Sequence, residues 1–256
     1  MGKTTSTVRL AEALAVMGKR VLVVDLDAQG NASRRLSAPA VSGIPRAREA
    51  WTISEAIHAN QEGAAAAAVH PIGWDAEYAS RIAVCPSAWD LEERMSEAGL
   101  VGAHRRLGRA LQGVDDAVDY TLIDLPPSLF HLTQLGLAAA HMALAVTEPE
   151  YDSIEGAVRF RDFVTAKRGD LANPGLEMIG VIVANYDSRK SGHTFQLEGL
   201  PDMFGELLWD PVVPGRSVVM DADESGLPLA AMKSPAGKEI RGMYASLAVR
   251  LIKAAS

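Results

Sequence analysis

The chain opens inside a phosphate-binding loop. Met1-Gly2-Lys3-Thr4-Thr5 matches the end of a G-x-x-x-x-G-K-[ST] pattern, without its first glycine or the strand before it. An amphipathic stretch follows (Val8, Leu10, Ala11, Leu14, Ala15), with Gly18 as a stop, and then the apolar run Val21-Leu22-Val23-Val24 ends in Asp25-Leu26-Asp27. A lone G-K-T-T recurs by chance. The order of apolar run, acid and glycine behind it gives it weight.

The residue types suit phosphate chemistry. A loop that opens a helix offers unpaired backbone N–H groups and the positive end of the helix dipole. A lysine such as Lys3 reaches β- and γ-phosphates, and a hydroxyl such as Thr4 can sit on Mg²⁺. The plainer alternative is an ordinary helix start capped by Thr4 or Thr5.

Two further segments decide against the plainer reading. Asp25-Leu26-Asp27-Ala28-Gln29-Gly30-Asn31 is a polar turn directly after four residues of buried type. Tyr120-Thr121-Leu122-Ile123-Asp124-Leu125-Pro126-Pro127-Ser128 is a second apolar run ending in an acid. Carboxylates at the C-terminal ends of parallel strands lie on the edge where open α/β sheets bind nucleotides. Asp124 there suits an acid that orients Mg²⁺ through water, and Asp27 suits placement of an attacking water. Each aspartate alone could be a turn former; three such sites in this order point to nucleotide chemistry.

Gly2-Lys3-Thr4-Thr5, Asp25–Asn31 and Asp124-Leu125-Pro126-Pro127-Ser128 resemble the K-G-G-V-G-K-T-T, D-x-D-P-Q-G-N and D-x-P-P-S motifs of the ParA/Soj partition ATPases. Glu150-Tyr151 with Ile154-Glu155-Gly156 resembles that family's E-Y-x-x-L-E-G segment, and Asn185-Tyr186-Asp187-Ser188-Arg189 its M-Y-D-x-R turn. Val213-Pro214 with Asp221-Ala222 and Gly226 resembles its I-P…E-A…G-K segment, so the likeness covers nearly the whole chain. Ala28 replaces the usual proline and Asp221 a glutamate, and the family's signature lysine would fall three residues before Met1.

The resemblance implies a Mg²⁺-dependent ATPase that forms an ATP-dependent homodimer, binds DNA without sequence preference and is stimulated by a ParB-like partner. It assigns Gly2, Lys3, Thr4 and Thr5 to the nucleotide phosphates and Thr4 with Asp124 to Mg²⁺. Asp27 and Lys3 become the catalytic pair, and Asn185 with the segment from Pro214 the candidate base pocket. The expected location is the cytoplasm, on the nucleoid, with no membrane partner. Two other outcomes stay open: a catalytically impaired binding protein, motivated by the missing loop glycines and lysine, and a MinD-like positioning ATPase.

Composition narrows these readings. The 256 residues carry a net charge of −7, with 48% apolar and 22% charged residues, as expected of a globular chain able to bury a substantial core. No apolar run approaches the ~18–20 residues that span a bilayer. Cys85 is the only cysteine, which excludes an internal disulfide and a multi-cysteine metal site, including the clusters of iron-protein relatives. The acidic balance gives no sign of a dedicated nucleic-acid module, but charge is uneven. Lys233, Lys238, Arg241, Arg250 and Lys253 face the single acid Glu239 near the C-terminus, and Arg105, Arg106 and Arg109 form a second cluster. Either is a solvated helix face or a DNA contact; Lys238, Arg241, Arg250 and Lys253 are the DNA candidates, with Arg250 among apolar neighbours and suited to snorkelling.

The coarse pattern predicts helix 3–17, strand 20–25, strand 80–84, helices near 88–97 and 101–113, strand 119–124, helix 129–140, strand 142–147, helix 153–167, strand 177–184, a helix from about 191, a short strand 206–209 and a closing helix 236–253. Apolar strands separated by helices give a mostly parallel sheet covered on both faces. The expected fold is therefore α/β, a single P-loop NTPase domain over residues 1–256, incomplete at its N-terminus because the first strand is missing. Segment 34–75, with Pro39, Pro45, Pro71 and an alanine run, says least; its helix candidate is Ser54–Ile57. Core packing, rather than membrane anchoring, is expected of the closing helix.

Overall fold

The computed structural model describes residues 2–38 and 51–255; Pro39 and Pro45 fall outside them. The alternation of strand and helix is as the pattern predicts. Helix α1 (Lys3–Val16) leads to β1 (Val21–Asp25), and β1 to two short helices, α2 (Asn31–Arg35) and α3 (Ile53–Ala59). Next come β2 (His70–Pro71), β3 (Ile82–Cys85), α4 (Arg106–Leu111), β4 (Tyr120–Asp124), α5 (His131–Ala139), β5 (Met142–Thr147) and α6 (Tyr151–Lys167). The chain closes with β6 (Glu177–Val183), α7 (Ser191–Phe204), β7 (Leu208–Trp209), α8 (Ser217–Glu224) and α9 (Pro235–Ala254).

Among the described residues the strands form two sheets, ordered β2-β3-β1-β4 and β5-β6-β7, and every pairing is parallel except β2 with β3. β1 is buried along its whole length, as its four consecutive aliphatic residues require between two helical layers. Tyr120 to Ile123 of β4 are only half-buried, because a cleft of about 870 Å³ separates β4 from β5. Thr7 and Leu10 of α1, Leu137 of α5 and Phe160 of α6 line that cleft along with both strands. Among the described residues no strand lies between β4 and β5.

Helix α9 closes the fold as a core element. Its Tyr244, Leu247, Ala248 and Leu251 are buried in one cluster with Val8, Ala11, Leu14 and Ala15 of α1. Trp209 of β7 joins that cluster, and its Nε1 donates to the Ile179 carbonyl at 3.0 Å. Gly180 admits the indole: a Cβ there would stand 2.1 Å from Trp209 Nε1. Gly180→Ala is therefore expected to lower stability by ~1–3 kcal/mol through overpacking, read as a lower urea midpoint at unchanged slope.

Two predicted elements differ. In place of helices near 88–97 and 101–113, Trp89–Gly99 is a run of 3₁₀ turns and only Arg106–Leu111 is α-helical. Leu91 and Arg94 are the only buried residues of the first segment, too few for an apolar helical face, and Gly102 and Gly113, at φ 71° and 77°, bracket the second. α2 and α8 lack a predicted counterpart. The buried residues of α2 are Ala32 and Ser33, and those of α8 are Ala222 and Asp223, so neither shows an aliphatic stripe.

Candidate nucleotide site

The site is built where β1 and β4 end. Their parallel register places Asp25 beside Asp124, as expected of two strand-end acids, and the Leu26 amide donates to the Asp124 carbonyl at 2.9 Å. α1 begins on the same edge. Gly2 precedes it with no side-chain cap, so the amides of the first helical turn face outward without an intrahelical partner. The 14-residue helix then adds the positive end of its dipole at this point.

Lys3, Thr4 and Thr7 converge on Asp124. The Thr7 hydroxyl donates to Asp124 Oδ1 at 3.1 Å, and the Thr4 side chain is near enough to favour the ionised carboxylate. Asp124 is 1% exposed, and among the described residues its Oδ2 has no hydrogen-bond partner. Burial, with the nearby Asp25 charge added, pushes its carboxyl up to about 7. Burial lowers the Lys3 pKa, while the charges of Asp124 and Asp27 oppose that shift and favour the ammonium. A buried carboxylate oxygen without a donor, beside a hydroxyl and a lysine at a free helix N-terminus, fits a hydrated Mg²⁺ and polyphosphate. Lys3, Thr4 and Asp124 are the residues that would hold them.

Asp25 and Asp27 divide as their positions suggest. Asp25 is fully buried and accepts from the Ser33 amide at 2.8 Å, the Ser33 hydroxyl at 2.7 Å and the Asp27 amide at 3.2 Å. Burial raises its pKa despite these bonds, so its work is to tie the Asp27 turn and α2 to β1. Asp27 is half-buried at the rim, with Oδ1 accepting from the Gln29 amide at 3.0 Å. That bond fixes the carboxylate within the turn that Gly30 closes at φ 61°.

The base-pocket candidates are also brought to this edge. Asn185, at φ 57°, donates from Nδ2 to Glu148 Oε1 at 2.8 Å, and the next residue, Tyr186, bridges to Pro214. Gly2 packs directly beneath: a Cβ on it would stand 2.9 Å from Ala184 Cβ and 4.0 Å from Asn185 Nδ2. Gly2, Asn185 and Pro214 thus share one end of the molecule, although they are widely spaced in sequence. Thr5 has its hydroxyl turned instead to Asp223 and Arg35, at 2.8 Å from each. Sequence reasoning missed Thr7, Ser33, Arg9, Glu12, Arg35 and Asp223. The available signal was polar residues, Arg9 and Glu12, on the otherwise apolar repeat of α1.

The basic candidates lie away from this edge on α9. Lys238, Arg241 and Lys253 are exposed, whereas Arg250 donates to the Glu206 carbonyl at 3.0 Å and stacks 5.3 Å from the Trp209 ring centre. Arg106 of the second cluster is paired with Glu97, leaving Arg105 and Arg109 exposed. Among the described residues no helix is long and apolar enough to cross a membrane.

Comparison with known proteins matches a family described as an AAA domain to residues 1–178. The chromosome-partitioning ATPase Soj of Thermus thermophilus is 32% identical over 256 residues, spanning 99% of this chain and 93% of Soj. The chromosome partitioning protein ParA of Caulobacter vibrioides is 32% identical over 233 residues, spanning 90% of this chain and 82% of ParA. Among solved structures, cobyrinic acid a,c-diamide synthase from Mycobacterium smegmatis, with bound ADP and magnesium, superposes with a TM-score of 0.76 at 25% identity, covering 100% of this chain and 91% of that one.

Proposed function

The chain belongs to the ParA/Soj family of partition ATPases, whose cofactors are ATP and Mg²⁺, and from that premise we propose that it is a nucleotide-switched ATPase that segregates or positions a cargo on DNA. The observation that carries the reading is the unpartnered, buried Oδ2 of Asp124 beside Thr4 and Lys3 at the open end of α1. In this reading all 256 residues act as one ATPase domain.

Each residue has a limited task. The first-turn amides of α1 and Lys3 bind and orient the polyphosphate, and Thr4 and Asp124 hold Mg²⁺, which supplies charge neutralisation when bound. Asp27 orients the attacking water from the rim of the site. Asn185 and the segment from Pro214 contact the base. ATP joins two copies into a homodimer, hydrolysis releases them, and a ParB-like DNA-binding partner accelerates that release. The protein then works in the cytoplasm, on the nucleoid.

DNA contact falls to the exposed Lys238 and Arg241 of α9, with Lys253 further along; Arg250, held by Glu206 and Trp209, is the weakest of the four candidates. Dimerisation roughly doubles the phosphates neutralised, and each adds about −0.9 to the slope of log affinity against log salt. Replacing Lys238 and Arg241 with glutamate is expected to abolish ATP-dependent DNA binding and to leave nucleotide affinity unchanged. Fluorescence anisotropy with a labelled duplex across a salt series tests this. Undiminished DNA affinity in the double variant moves the contact off α9, with Arg105 and Arg109 next in line.

A further inference from the structure

A buried ion cluster lies beside the site, outside the phosphate contacts assigned above. Arg9, on α1, is 1% exposed, a costly place for a guanidinium unless it is paired. Its Nη1 donates to Glu12 Oε2 at 2.9 Å and to the Leu227 carbonyl at 3.3 Å, and its Nη2 donates to Asp223 Oδ1 at 2.5 Å. The other oxygen of Asp223 accepts from the Thr5 hydroxyl at 2.8 Å and lies 3.1 Å from Arg35 Nη1. That same Nη1 donates to the Thr5 hydroxyl oxygen at 2.8 Å. Glu12 is also saturated: it accepts the Tyr78 hydroxyl at 2.8 Å and the amides of Leu229 and Ala230 at 3.1 Å each.

Two cations and two anions therefore join three elements that also share an apolar cluster: the first turns of α1, the end of α2, and the segment 223–230 that continues from Pro214. Ser37 adds a neutral tie, donating to the Gly226 carbonyl at 2.8 Å. An apolar cluster of equal volume would pack these elements as well or better. It would not orient Thr5, whose hydroxyl proton points at Asp223 while a lone pair receives Arg35. Thr5 is the third residue of the helix whose open end faces the phosphates. Fixing its side chain fixes the backbone turn that presents the N–H groups.

We propose that Arg9, Asp223 and Arg35 form an electrostatic clamp holding segment 214–230 against the first turn of α1, and that Asp223 and Arg35 are positioning residues that set nucleotide affinity through Thr5. The clamp rests on the reading of that turn as the phosphate site. It acts on binding rather than on the chemical step: its members bond Thr5, Glu12 and Leu227, and among the described residues none of them is hydrogen-bonded to Asp27.

The test uses the full chain and a fluorescent ADP analogue with Mg²⁺, alongside steady-state ATP hydrolysis, for wild type, Asp223→Asn, Arg35→Gln and Arg35→Lys. In Asp223→Asn and Arg35→Gln, Kd and KM are expected to rise about tenfold with kcat within about twofold, the pattern of lost uniform binding. Arg35→Lys keeps the charge and a donor and recovers most of the affinity. If Asp223→Asn fails to fold with Arg9 left one carboxylate short, the two Arg35 variants carry the test alone. Wild-type affinity in Arg35→Gln, or equal losses in Arg35→Lys and Arg35→Gln, overturns the clamp while leaving the site. A wild-type protein that holds no nucleotide overturns the reading of the site and the clamp's role with it.

Discussion

Asp27→Ala is expected to keep ATP affinity within about threefold of wild type and to lower turnover by roughly a hundredfold or more, the usual range for a group that acts on the attacking nucleophile. The expectation follows from where Asp27 stands. In the proposed reading Lys3 and the open amides of α1 do the binding, so loss of a rim carboxylate costs little in the ground state. Asp27 is the half-buried one of three acids here, close enough for its charge to act on Lys3. Asp25 and Asp124 are sealed under the strand ends at 0% and 1% exposure, which leaves Asp27 placed to meet water. Single-turnover hydrolysis with equilibrium binding of the ATP analogue separates the two effects. Unchanged turnover in Asp27→Ala removes that residue from its role.

The second large effect is electrostatic and involves Asp124. Its ordinary value of 3.8 is raised to about 7 by burial and by Asp25 beside it. Between those values the folded protein holds a proton that the unfolded chain has released. Stability from this group is thus fully present at pH below 3.8 and is lost as pH rises through about 7. Asp124→Asn cannot ionise, so at pH 8 the nucleotide-free variant is expected to be more stable than wild type by up to ~4 kcal/mol, with the gain shrinking towards pH 4. If Asp124 holds Mg²⁺ as proposed, the same substitution is expected to remove the Mg²⁺ dependence of nucleotide binding. Chemical denaturation at pH 4, 6 and 8 follows the first effect. A stability difference that does not change with pH contradicts the burial argument.

Much of this was legible in the sequence, for a physical reason. A strand buried on both faces must be aliphatic throughout, so Val21–Val24 announced β1, and the acids ending β1 and β4 fell into register because parallel strands in an open sheet end on one edge. The helix after Gly2-Lys3 was equally plain from its apolar repeat. What the sequence hid was long-range charge pairing. Asp223 lies 214 positions from Arg9, and no local pattern marks a carboxylate that will be buried. α8 escaped notice for the same cause, since a helix that buries an acid and an alanine has no aliphatic face to read. Thr7 was passed over because a threonine one turn beyond the motif looks like ordinary helix surface until β4 brings Asp124 against it.

In the proposed reading nucleotide binds at the open end of α1 through Lys3, with Mg²⁺ held at Asp124. Equilibrium titration of a fluorescent ATP analogue against wild type and Lys3→Ala, each with Mg²⁺ and with chelator, tests it most directly. Wild type is expected to bind saturably and in a Mg²⁺-dependent way, with affinity about a hundredfold or more weaker in Lys3→Ala. Absence of binding by wild type, or equal binding by the two proteins, contradicts it.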